Sequence, residues 1–215
     1  MSSTARFFCA LERREKYELL SGEGGTSSYT RYREVIAEDC RYRCVYCDSH
    51  QDTIGGPETM QLDHFRPWNR GFGPEKAKHF AHLVDDPTNL VHACSVCNRF
   101  KAARWPTEDP DVPHDDKKGW VDPFAEVRSD FLFVEADGRL IEGKPPGNYL
   151  IKTLRLNRPL LMRQRELRHV IATLESDHIP RLRSIVESDA DSEHAQTAQL
   201  ALALFDTIRS QCCPD

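Results

Sequence analysis

Apolar and polar positions alternate along this chain in three different rhythms. Near the C-terminus, Leu160, Leu161, Leu167, Val170, Ile171 and Leu174 recur at helical spacing, and so do Leu200, Leu202, Leu204, Phe205 and Ile208. Both stripes are read as core-facing sides of helices, within helices expected at 147–154, 159–175, 179–188 and 193–209. A second rhythm is strand-like: Phe131-Leu132-Phe133-Val134 and Arg139-Leu140-Ile141, joined through Asp137-Gly138, predict a hairpin. The third lies earlier. Helices are expected at 5–20 and 29–41, the first followed by a Gly/Ser linker at 21–28, and a short strand at 59–62 ends at Asp63-His64-Phe65-Arg66-Pro67. Residues 67–88 read as a long loop with one helical turn near 75–83. A helix is expected from His92 to Arg104, stopped by Pro106. The mixture predicts an α+β fold in three parts: 1–29, a helix and linker; 30–106, a central domain; and 107–215, a hairpin and helical region entered through a Pro/Asp-rich linker at 107–118.

Composition narrows the function classes. The 215 residues carry 29 Lys and Arg against 34 Asp and Glu, a net charge of −5, which argues against coating nucleic acid by bulk charge. Residues 31–104, however, sum to +1 and hold five of the nine histidines, whereas 105–215 sum to −6. No run of about 18 apolar residues predicts a membrane span, and the first ten residues lack the apolar stretch of a signal peptide. The expectation is a cytoplasmic chain with no membrane partner.

In a reducing compartment, eight cysteines point to metal ligands or buried thiols rather than to disulfides. Four form two identical pairs, Cys44-Val45-Tyr46-Cys47 and Cys94-Ser95-Val96-Cys97, with 46 residues between them. Two such knuckles suit one tetrahedral zinc ion. Four sulfurs fill its coordination sphere, so this zinc is expected to be structural and any chemistry has to come from other residues. Cys9, Cys40, Cys212 and Cys213 match no pattern.

Inside the cysteine frame and directly after it lie Leu62-Asp63-His64-Phe65-Arg66-Pro67 and the run from Asn89-Leu90-Val91-His92 to Cys97-Asn98-Arg99-Phe100-Lys101, Asn98 following the last cysteine. In this order, over about 60 residues, the chain resembles the HNH endonuclease superfamily, which implies a ββα-metal core. The resemblance implies His64 as the general base, Asp63 and Asn98 as ligands of a catalytic Mg²⁺ or Mn²⁺, and Asn89 as the residue that ties the loop and holds the base. Asn98 stands where the motif's last histidine falls, making this an HNN variant. Lys101 matches a frequently basic helix position. Arg66, Arg70, Arg99, Lys101 and Arg104, interleaved with Trp68, Phe72 and Trp105, are candidates for nucleic-acid contact. His92 is assigned to packing or the surface.

Outside that stretch, Val121-Asp122-Pro123-Phe124, the hairpin, and Leu154-Arg155-Leu156-Asn157-Arg158 look like small HNH proteins of bacterial phage-defence operons. The Septu-type and retron-linked nucleases, which act beside an ATPase, are of this kind. The expected activity is hydrolysis of DNA phosphodiester bonds in antiviral defence. The alternatives are RNA as substrate and a non-catalytic zinc module that binds nucleic acid or protein.

Overall fold

The computed structural model describes residues 7–18, 28–68, 80–106, 109, 111–115, 117–188 and 190–212. The chain forms two compact units, one of Met1–Val134 with Leu140–Arg158, the other of Glu135–Arg139 with Pro159–Asp215. The strands of the C-terminal hairpin therefore group with the cysteine-bearing region, and only their turn groups with the last helices.

In the first unit a 3₁₀ turn at Ser28–Tyr32 leads into α1 (Arg33–Asp39), so the helix expected from Tyr29 is true α-helix over its second half only. Strand β1 (Met60–His64) pairs antiparallel with β2 (Leu90–Cys94), Asp63 opposite Val91 and His64 opposite Leu90. The chain then turns directly into α2 (Ser95–Lys101), where the Cys94 sulfur accepts from the Cys97 N–H at 3.4 Å. The helix expected from His92 thus begins three residues late. Residues 90–94 are all buried and complete the ladder with β1, and a short apolar run fits a buried strand as well as a helix. After α3 (Arg128–Phe131), the expected hairpin forms as β3 (Leu132–Val134) and β4 (Leu140–Glu142), followed by α4 (Gly147–Thr153). Asn157 fastens β4 by accepting from the Leu140 N–H at 2.8 Å and donating to the Leu140 carbonyl at 2.9 Å. Ile36, Met60, Phe65, Leu90, Val91, Trp120, Leu154 and Leu156 fill the core.

The helix expected over residues 5–20 does not form in its described part, 7–18. Long-range contacts hold this segment instead. Arg13 donates to the carbonyls of Pro87 and Leu90, Arg14 pairs with Glu38 and Asp39, and the Tyr17 hydroxyl donates to Asp39 at 2.5 Å. The Gly/Ser linker (bar its last residue), Glu75–His79 of the expected turn, Arg70 and Phe72 lie outside the described residues. Within 80–88 there are short 3₁₀ turns at Ala81–Leu83 and, running one residue on, Pro87–Asn89.

The second unit packs α5 (Pro159–Asp177), α6 (Ile179–Ser188) and α7 (Glu193–Cys212). Gly138 sits in the left-handed region (φ +78°), where a Cβ would fall 2.0 Å from the Met162 carbonyl oxygen; its own carbonyl accepts from Arg165 Nε at 2.7 Å. The core reading of the apolar stripes holds for Leu161 and Ile171. It fails for Leu160 and Val170 on α5, whose buried positions are Leu161, Arg165 and Ile171, and for Leu200, Leu204 and Ile208 on α7, where Ala195 and Ala198 are the buried residues; all five are exposed. Among the described residues no helix is long and apolar enough to cross a membrane.

Candidate functional site

Two knuckles converge. The first follows α1, with Arg41, Tyr42 and Asp48 in the left-handed region where the backbone reverses. Its Val45 N–H donates to the His92 carbonyl of β2 at 3.0 Å, which seats Cys44 and Cys47 against Cys94 and Cys97. Buried Arg128 locks the knuckle by donating to Asp48 Oδ1 (2.7 Å) and the carbonyls of Val45 (3.0 Å) and Cys9 (2.7 Å). All four sulfurs are buried and lie within 4.8 Å of one another, with Cys47 and Cys94 4.0 Å apart. Tetrahedral zinc with sulfur at about 2.3 Å needs sulfurs about 3.8 Å apart. The donor set and spacing fit, and the cluster can hold a metal ion such as zinc. Burial pushes the Cys44 thiol well up, so a bound dication is what makes its thiolate favourable. Cys40, whose thiol burial pushes up to about 12, stands apart and accepts from the His92 N–H at 3.5 Å. A cation lies beside the cluster: Arg158, half-buried, donates from Nη2 to Cys97 Sγ at 3.5 Å.

The opposite end of β1 carries Asp63 and His64, both 8 % exposed. His64 Nε2 lies 2.8 Å from the Val84 carbonyl oxygen, and its ring meets Tyr29 edge-on at 4.7 Å and Trp68 at 6.4 Å. A carbonyl only accepts, so Nε2 bears the proton and Nδ1 carries the lone pair. Burial holds the imidazole below its usual pKa, against the opposing pull of the Val84 carbonyl and Asp63, so the ring is neutral at pH 7. Asn89, 1 % exposed, accepts from the Arg66 N–H at 2.9 Å and donates to the carbonyls of Arg66 (3.0 Å) and Leu83 (3.2 Å). It thereby joins the turn after His64 to the segment whose next residue, Val84, holds the His64 ring.

Asp63 is fully engaged. Tyr46, raised well above its ordinary pKa by burial and the Asp63 charge, donates to Asp63 Oδ2 at 2.5 Å. Lys101 Nζ lies 3.1 Å from Oδ2 and 3.3 Å from Oδ1, and donates to the His64 carbonyl at 2.8 Å. Asn98 instead donates to Gln61 Oε1 at 2.8 Å. Among the described residues, the four cysteines are the only group of three or more His, Cys, Asp or Glu side chains whose ligand atoms converge.

The basic residues divide. Lys101 is fully buried and cannot meet a phosphate, which corrects its assignment to nucleic-acid contact. Exposed Arg104 turns back on the carbonyls of Phe100 and Lys101 at the end of α2. Arg66 is half-buried over Phe65 and Trp105, whereas Arg99 is exposed. Arg70 lies outside the described residues. Trp68 is exposed beside His64, while Trp105 packs against Phe65 and Phe80. His92 is 3 % exposed with neither ring nitrogen hydrogen-bonded, a packing residue. Sequence reasoning missed Tyr46, Arg128 and Arg158. Only the position of Tyr46 between two cysteines hinted at any of them.

No family model, curated protein or solved structure matches this chain.

Proposed function

We propose that the protein is a divalent-metal-dependent HNH-type endonuclease that hydrolyses DNA phosphodiester bonds, stapled by a structural zinc ion. The observation that carries this reading is the support given to His64. Val84 holds one ring nitrogen, leaving neutral Nδ1 with the lone pair, and Asn89 ties together the two segments that fix the ring. A base held in one tautomer and neutral at pH 7 is suited to take a proton from an attacking water. Tyr29 and exposed Trp68 flank the ring and limit the directions from which water can approach. Asp63 and Asn98 offer the hard oxygen donors that Mg²⁺ or Mn²⁺ requires, and would hold the ion. That ion would supply stabilisation of the charge on phosphate and leaving oxygen. Because Lys101 already neutralises Asp63, a divalent ion there has to share the carboxylate with an internal ammonium.

The same pairing favours a second reading, a zinc-stapled binding module in which Asp63 and Lys101 are a structural ion pair. The two are separated by incubating supercoiled plasmid, and in parallel single-stranded RNA, with wild type and His64→Ala in Mg²⁺ or Mn²⁺. The nuclease reading expects cleavage by wild type and at least a hundredfold loss in the variant, whose zinc content and fold are unchanged. Equal cleavage by both proteins, or none by wild type under any condition, counts for the binding module. RNA cleaved in preference to DNA changes the substrate and keeps the mechanism. We further assign the protein to bacterial anti-phage defence beside an ATPase, on the likeness of Val121-Asp122-Pro123-Phe124, the β3–β4 hairpin and Leu154–Arg158 to such nucleases. The plasmid assay is therefore repeated with the products of neighbouring genes present.

A further inference from the structure

Three guanidinium groups gather on one phenyl ring. The Cζ atoms of Arg155, Arg158 and Arg99 lie 4.8, 5.6 and 5.7 Å from the centroid of Phe100, which is half-buried. The local chain explains the gathering. Arg99 and Phe100 follow Cys97 on α2, and Arg155 follows α4 between Leu154 (1 % exposed) and Leu156 (fully buried). Anchoring both leucines in the core turns Arg155 outward, at the cost of a left-handed φ of +49°. Arg158 is already committed, to the Leu154 carbonyl and Cys97 Sγ. Arg99 and Arg155 are exposed, and neither pairs with a carboxylate of the described residues.

All three charges lie within about 11 Å of one another, close to the Debye length of about 10 Å at 0.1 M salt, so solvent ions screen their repulsion incompletely. An anion bound between them relieves it. A guanidinium laid on a ring keeps its N–H edge free, and that edge matches two phosphate oxygens. Arg99 also lines an open groove of about 330 Å³ with Gln61, Ser95, Val96 and Asn98. We infer that Arg99 and Arg155, mounted on Phe100, form a phosphate-backbone contact surface that guides nucleic acid along this groove. The inference deepens the nuclease reading and rests on it for its substrate. A lipid surface fits worse. Phe100 is sunk beneath the arginines instead of projecting, and a chain of net charge −5 has little bulk attraction to an anionic membrane.

The test is fluorescence anisotropy of the zinc-loaded protein with a labelled 20-nucleotide strand and a 20-base-pair duplex, without added Mg²⁺ or Mn²⁺ so that no cleavage occurs. Wild type is compared with Arg99→Gln/Arg155→Gln between about 0.05 and 0.2 M salt. Losing two phosphate contacts lowers the slope of log Kd against log salt by about 1.8 for duplex and about 1.4 for single strands, and weakens binding at 0.1 M more than tenfold. Zinc content and tryptophan fluorescence stay at wild-type values. An unchanged slope overturns the inference. So does zinc loss without a slope change, which would assign the arginines to offsetting the thiolates. So does loss of phosphatidylserine-vesicle binding with nucleic-acid binding intact. If wild type cleaves nothing but the slope still falls, the surface stands and the nuclease reading alone is lost.

Discussion

Replacing Lys101 with methionine removes an ammonium from the interior and almost nothing else. The side chain is fully buried, donates to the His64 carbonyl at 2.8 Å and faces both Asp63 oxygens at 3.1 and 3.3 Å. Methionine fills nearly the same volume but leaves the Asp63 carboxylate with only the Tyr46 hydroxyl, and leaves the His64 carbonyl without a donor. Breaking a buried pair from one side costs about 3–5 kcal/mol, so Lys101→Met is expected to lower stability by about 4 kcal/mol. Asp63→Asn strands the ammonium and is expected to cost about 3 kcal/mol for the same reason. The double variant removes both charges, and the amide oxygen introduced by Asp63→Asn can still accept from Tyr46. It is expected to cost about 1–2 kcal/mol, less than either single change, because the remaining loss is one carbonyl's hydrogen bond. The assay is urea unfolding with saturating zinc, read by tryptophan fluorescence. All three tryptophans (68, 105 and 120) lie in the cysteine-bearing unit, so the signal reports that unit. A single-variant cost under about 1 kcal/mol, or costs that simply add in the double variant, would refute the buried-pair argument and return Lys101 to the surface.

Other perturbations test the remaining contacts. Cys44→Ser is expected to abolish stoichiometric zinc binding and lower the melting temperature by about 10 °C or more, since a structural zinc ion contributes many kcal/mol of folding free energy; full zinc occupancy at an unchanged melting temperature would exclude Cys44 as a ligand. Arg158→Met removes the N–H facing Cys97 and is expected to weaken zinc affinity roughly tenfold and speed alkylation of the cysteines, as loss of an outer-sphere partner does; wild-type affinity in a chelator competition would contradict this. Burial pushes His92 down to about 4, whereas the unfolded side chain titrates near its ordinary 6.5. Between these values the unfolded state binds the extra proton, so stability is complete above pH 6.5 and falls by up to about 3 kcal/mol as pH drops to about 4. Urea titrations of wild type and His92→Leu across that range should show a shallower slope in the variant; parallel slopes would clear His92.

The fold was legible where one local rule applied without competition. Asp137-Gly138 between two alternating runs predicts the hairpin, and β3 and β4 form it with outside contacts that reinforce the same pairing, Asn157 on Leu140 and Arg165 on Gly138. The expected helix at the N-terminus failed because helical periodicity in a short charged segment is a weak force. Arg13 and Arg14 instead reach carbonyls and carboxylates up to 77 residues away, which no local pattern encodes. On α7 the leucines repeat at the right spacing for a core, yet alanines face it. Periodicity marks a face, and only packing against α6 decides which face is used.

The candidate site shows the same limit at the scale of two neighbouring residues. Arg99 and Lys101 are both basic, lie two apart, and read from the sequence as equivalent phosphate contacts. Their roles separate once α2 is laid on β1. Gln61 and Asp63 share one side of the strand, about 6.6 Å apart. Asn98 and Lys101 share one side of the helix, about 4.5 Å apart along its axis. The two pairs meet, Asn98 on Gln61 and Lys101 on Asp63, in the order the chain direction requires. Arg99 is rotated about 100° from Asn98 and about 200° from Lys101, so the packing that buries the lysine turns the arginine to solvent. A single helix–strand contact thus turns one basic residue inward, to neutralise Asp63 and hold the His64 backbone, and leaves the other free to meet an external anion.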